Sequence, residues 1–164
     1  RPALVAGFSN GSFMAQRLAC EGAEFTGIVS LAGAFPERDG ATCAPSAPVP
    51  FVHVHGDRDG VVPFGGGHVL GDSSLPRVTA ARETAERWAR LNGCQELAAE
   101  PERTRDLVED LPGPETRVLV GRGCRATTEL WIMRGGDHGA PARSEVVRAA
   151  VERLVPRAAA SERP

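Results

Sequence analysis

Lysine and tyrosine are both missing from the 164-residue chain, so its 19 basic residues are all arginine. That bias reads as the codon usage of a GC-rich genome and carries no functional meaning. The net charge is −2, which gives no electrostatic basis for binding nucleic acid or an anionic membrane. No apolar run approaches the roughly 20 residues needed to cross a bilayer. None of the four cysteines stands in a C-x-x-C pair, which excludes a zinc knuckle or a dithiol redox motif. Cys20, Cys43, Cys94 and Cys124 therefore read either as two disulfides in an oxidising compartment or as four buried thiols.

What is present is ordinary for a globular domain: 41% hydrophobic and 24% charged residues, in a chain long enough to bury one core. Residues 1–156 read as one domain and 157–164 as a polar tail. Short apolar runs at 3–6, 27–33, 51–55, 117–120 and 128–133 predict strands. Apolar residues at helical spacing predict helices over 12–20, 82–91 and 144–154, with Thr79 as a cap and Asn92-Gly93 as a stop for the second. Trp88 is expected to pack from its helix and Trp131 from its strand. Residues 34–50 and the glycine-rich stretch 57–76 read as loops. The acidic, proline-broken segment 95–115 reads as surface. Strands alternating with helices predict an α/β fold in three layers around a mostly parallel sheet.

Gly7-Phe8-Ser9-Asn10-Gly11 is a G-x-S-x-G sequence set between a predicted strand and a predicted helix. Alone this motif is weak. In that context it matches the nucleophile elbow, a sharp turn that lifts a serine hydroxyl above a sheet. The glycines are expected to keep side chains clear of neighbouring strands. The N–H of Asn10, at the start of the helix, is the candidate oxyanion donor. A nucleophilic serine needs a base, and the base an orienting acid. Two later loops follow strand C-termini, where open α/β sheets place their sites: HGDRDGVVPFGG and GGDHGAP. They put Asp59 and His138 in the order Ser, Asp, His. Asp57 competes as the acid; His53, His55 and His68 compete as the base. His53 and His55 share a strand face and fit packed histidines better than a metal pair with no third ligand. Position twelve from Asp57 is His68 rather than glutamate, which argues against a calcium loop. Phe35 and Phe64, in loops near these residues, are candidates for substrate contact.

Together these segments resemble the secreted polyhydroxybutyrate depolymerase and feruloyl esterase type of the α/β-hydrolase superfamily. GFSNGS is similar to the elbow of that family, and PVPFVHVHGDRDGVVPFGGG to its acid loop, in which the second aspartate is catalytic. LNGC, the later GC and TELWIMRGGDH are similar to its final helix, cysteine and histidine loop; LAC with CAPSAPVPF is similar to its first cysteine pair. Over about residues 1–155 the resemblance implies a triad of Ser9, Asp59 and His138, disulfides Cys20–Cys43 and Cys94–Cys124, secretion, and no metal or organic cofactor. Asp137 and GAP depart from the glycine before, and the tryptophan-proline after, the family histidine. In the family the first strands and the loop bearing the second oxyanion donor precede the elbow. The resemblance thus implies the C-terminal portion of an α/β-hydrolase fold lacking its N-terminal strands, with the strand at 3–6 left as an apolar edge. The expectation is a serine esterase acting on polymeric or small esters. The alternative is a truncated, non-catalytic remnant of such an enzyme.

Overall fold

In the computed structural model, the residues described are 3–35 and 43–155. The polar tail expected at 157–164 lies outside them. Six strands form one sheet in the order β1-β2-β3-β8-β7-β6. Strands β1 (Ala3–Phe8), β2 (Phe25–Leu31), β3 (Phe51–Gly56) and β8 (Thr128–Met133) run parallel. Strands β7 (Thr116–Arg122) and β6 (Glu96–Arg105) complete it in antiparallel fashion. Helices α1 (Asn10–Cys20), α2 (Ala81–Leu91) and α3 (Ser144–Leu154) flank the sheet. A small hairpin, β4 (Gly67–His68) with β5 (Arg77–Val78), sits within the stretch read as a long loop.

Side chains of the central strands alternate between two cores, as the period-2 geometry of a strand dictates. Val29, Leu31, Val52, Val54, Trp131 and Met133 point to one face, where Val146, Ala150 and Leu154 of α3 cover them. Ile28 and Phe51 point to the other, packed by Ala15 and Ala19 of α1 and Trp88 of α2. Both expected tryptophan placements hold, since Trp88 and Trp131 are fully buried. Burial on both faces accounts for the nearly unbroken apolar character of these strands. The buried charge on β8 is Glu129, which accepts hydrogen bonds from Trp131 Nε1 (2.9 Å) and Arg153 Nε (2.7 Å) and so ties α3 to the sheet. Among the described residues no helix is long and apolar enough to cross a membrane.

The acidic segment 95–115 lies largely at the surface, as expected, but part of it is the edge strand β6, which the sequence pattern does not predict. Its register on β7 slips between Ala99 and Thr104, an irregularity of the kind that concentrates at sheet edges. A second expectation fails outright. Thr79 does not cap α2: the helix starts from Ala80 with no side-chain cap. The Thr79 hydroxyl is instead buried against the Thr84 hydroxyl at 2.9 Å.

The cysteines pair as Cys20–Cys43 and Cys94–Cys124, closing loops of 23 and 30 residues. Chain-entropy arguments give a loop of this size about 3–4 kcal/mol. Replacing Cys94 and Cys124 together by serine is expected to lower unfolding free energy by about that amount, read from urea titration by circular dichroism.

Candidate active site

The chain turns sharply from β1 into α1 at Ser9, whose φ of 52° and ψ of −119° put a non-glycine residue in a conformation L side chains rarely adopt. Strain of this kind costs on the order of 1–3 kcal/mol and persists only when neighbours impose it. Ser9 N–H donates to Leu31 O at 2.8 Å, and Ser9 O accepts from Ser12 N–H at 2.9 Å. Gly7 makes the turn possible. A Cβ there would overlap the backbone of Gly11 and Ser12 in the first turn of α1. The clearance is thus against the helix and not, as the motif suggested, against a neighbouring strand. A Cβ at Gly11 would meet nothing among the described residues.

Three chain ends converge above the sheet. β1 delivers Ser9, β3 is followed by Asp59, and β8 is followed by His138. Gly56 permits the last two loops to touch, because a Cβ there would overlap the carbonyl of Gly136. Asp57 N–H donates to Met133 O and Arg58 N–H to Gly136 O, locking the loops together. His138 Nε2 lies 3.0 Å from Ser9 Oγ, and His138 Nδ1 lies 2.8 Å from Asp59 Oδ2. The structure therefore brings Ser9, Asp59 and His138 into one hydrogen-bonded line. The Phe8 ring, 39% exposed, lies tilted 4.9 Å from the His138 ring.

The Asp59 side chain is fully buried and the His138 side chain 19% exposed. Burial alone would raise the Asp59 pKa. Hydrogen bonds from His55 and His138, and from the N–H groups of Val61 and Val62, outweigh it and lower the pKa to about 2.

The competing residues have other duties. Asp57, the competing acid, accepts from Gly135 N–H at 2.7 Å. Asp137, the residue that departs from the family glycine, accepts from the N–H groups of Gly139 and Ala140. His68 Nδ1 bonds Leu75 O within the β4–β5 region. His53 and His55 are buried in β3, with their ring nitrogens hydrogen-bonded. Phe35 does not line the site: it is 3% exposed and stacks on Trp88 in the core. Phe64 packs edge-on to His55 at 5.8 Å, behind Asp59. Phe8 is the aromatic next to the serine, and its place beside Ser9 in the motif was the available signal.

No protein-family profile matches the chain. Over 105 residues it is 33% identical to the candidate esterase NocK of Nocardia uniformis subsp. tsuyamanensis, a match covering 59% of this chain and 30% of that protein. Of solved structures, the esterase PE8 superposes with a TM-score of 0.51 at 19% identity, over 93% of this chain and 50% of PE8. TT1662 from Thermus thermophilus gives 0.50 at 22% identity, over 93% of this chain and 54% of that one. The chain thus spans about half the length of these structures and less than a third of NocK. At such identities the structural likeness concerns fold: this is an α/β-hydrolase-like fold, with a sharp strand-to-helix turn at Ser9.

Gly7→Ala is expected to destabilise the protein by at least about 1–3 kcal/mol, through overlap with α1. Gly11→Ala, at an open helical position, is expected to leave stability unchanged or raise it by up to about 1 kcal/mol. Thermal unfolding of the two variants side by side distinguishes them. The low pKa of Asp59 also sets an acid response. The unfolded chain binds this proton near pH 4 and the folded chain near pH 2, so the contribution is complete above about pH 4. It is lost as pH falls from about 4 to 2, on the order of 2 kcal/mol, and that part of the acid dependence should be missing from Asp59→Asn.

Proposed function

We propose that this chain carries the catalytic triad of a serine ester hydrolase. The carrying observation is the bridge made by His138, with Nε2 on the Ser9 hydroxyl and Nδ1 on the buried Asp59 carboxylate. In this reading Ser9 Oγ attacks the ester carbonyl while His138 Nε2 takes its proton. Asp59 holds Nδ1–H in place and offsets the charge of the imidazolium. The oxyanion of the tetrahedral intermediate faces the N–H of Asn10, which opens α1 and so has no carbonyl before it in the helix. His138 then protonates the leaving alcohol, and water attacks the acyl-enzyme by the same route in reverse.

The likeness to NocK and PE8 supports ester chemistry. The substrate class we favour is a hydroxyalkanoate polyester or a feruloyl ester, from the sequence resemblance. Two disulfides support an oxidising, extracytoplasmic location. The second reading, a non-catalytic remnant, is favoured by the open flank of β1. Among the described residues that strand ends the sheet with no strand paired on its outer edge, and Ala3, Ala6 and Phe8 are exposed, a flank on which further strands would complete a hydrolase sheet.

Labelling by a fluorophosphonate probe separates the two. A functional triad labels at one site. Labelling is abolished in Ser9→Ala, and its rate falls roughly 10⁴-fold in Asp59→Asn. Protein that is folded by circular dichroism yet unlabelled would establish the remnant reading instead.

A further inference from the structure

Behind Asp59 runs a line of buried polar side chains that the reaction steps leave unused. His55 Nε2 stands 2.9 Å from Val62 O and 3.2 Å from Asp59 Oδ2. His55 Nδ1 stands 3.2 Å from His53 Nε2, and His53 Nδ1 2.8 Å from Ser30 Oγ. Ser30 Oγ is 2.6 Å from Ser12 Oγ. Gln16 Nε2 donates to both hydroxyls, and Gln16 Oε1 accepts from Trp88 Nε1–H at 2.9 Å. His53, His55, Ser30, Ser12 and Gln16 are all fully buried.

Hydrogen-bond logic orients this line. His55 Nε2 faces two oxygens, so it carries a proton. Burial first, and the neighbouring His55 second, hold the His53 pKa well below the ordinary imidazole value, so His53 is neutral. The arrangement that fills every acceptor has Ser12 O–H donating to Ser30, Ser30 O–H to His53 Nδ1, His53 Nε2–H to His55 Nδ1, and His55 Nε2–H to Val62 O and Asp59 Oδ2. All the donors point toward the carboxylate.

The division of labour at Asp59 then becomes informative. Oδ1 is held by the N–H groups of Val61 and Val62, at 2.8 and 2.9 Å. Oδ2 is shared between His138, which rides on an accessible loop, and His55, which is fixed within β3. We propose that His55 is a positioning residue that aims Asp59 Oδ2 at the Nδ1–H of His138, its own ring held in register by His53, Ser30 and Ser12. The proposal rests on the reading of Asp59 and His138 as the orienting acid and base. Ser12 lies on α1, three residues after Ser9, so the same line anchors the helix that carries the nucleophile.

The test is a double-mutant cycle on the full chain, read by the fluorophosphonate labelling rate and by kcat and KM on a p-nitrophenyl ester. His55→Phe fills the space without a donor; His55→Gln keeps an N–H at the same reach. His55→Phe is expected to lower the labelling rate and kcat by about 10–100-fold with KM unchanged, the range for loss of a group that orients a functional one. His55→Gln is expected to recover to within a few-fold of the parent. In an Asp59→Asn background, His55→Phe should cost nothing further, because residues acting through one another are not additive. An equal loss in both backgrounds, or no loss in either, overturns the proposal. Should His55→Phe fail to fold, Ser30→Ala takes its place, judged by the same loss in the parent and absence of loss in Asp59→Asn. If the parent chain does not label, the esterase reading fails on its own. The far-downfield proton resonance of His138 Nδ1–H then decides the inference: its loss in the folded His55→Phe or Ser30→Ala variant supports it, and its retention sinks it.

Discussion

A carboxylate ion cannot be taken out of water unless its oxygens are given donors, and Asp59 is out of water. Its burial explains more of this structure than any apolar contact does. Four N–H groups converge on it from its own loop, from β3 and from the loop after β8. Each donor is itself held by something else. The Val61 and Val62 amides require the tight turn after Gly56, and that turn requires a glycine where the Gly136 carbonyl crosses. The imidazole of His55 requires an acceptor-to-donor chain running through His53 and two serines to α1. The imidazole of His138 has a second nitrogen left over, which meets the strained Ser9 hydroxyl. The site is thus the outer end of a system of hydrogen bonds whose inner end is the helix behind the serine.

This arrangement also explains why the α1–α2 face of the sheet is less oily than the α3 face. Phe51, His53 and His55 alternate onto one side of β3, while Val52 and Val54 alternate onto the other. The α3 side is a conventional apolar core. On the α1–α2 side, aromatic packing of Phe51 on Trp88 borders the polar line, and the Trp88 indole N–H joins it through Gln16. Excluding water from that face strengthens each of these bonds and makes any missing partner expensive.

Much of the architecture was legible in the sequence because parallel strands and amphipathic helices have strong periodic signals. Helix 144–154 was read with the bounds it has, and the central strands to within two residues. The line Ser9–Asp59–His138 was suggested by chain order and loop position, and the side chains do meet. Three things escaped for physical reasons. β6 has no buried residue among those described, and its register shift between Ala99 and Thr104 breaks the alternation, so it carries no visible period. Thr79, two residues before a helix, has the composition of a cap whether or not its hydroxyl turns inward. The donors behind Asp59 come from residues 12, 16, 30, 53 and 55, which only the fold brings together. His53 and His55 were seen as a same-face pair, but their partners on α1 and β2 leave no mark in local spacing. Similarly, Phe35 has the look of a loop aromatic and is claimed by Trp88, while Phe8 stands beside the serine.

The two disulfides fall on one side of the molecule only. Cys20 closes the end of α1 onto the chain leading into β3, and Cys94, just past α2, is joined to the β7–β8 turn. Helix α3 has no covalent tie and is held by apolar packing and the Arg153–Glu129 pair. Ser9 and Asp59 therefore belong to the stitched half, whereas His138 sits on the loop that leads into the unstitched one. Heat or denaturant should part the seam at that loop first, drawing the imidazole away from serine and aspartate together.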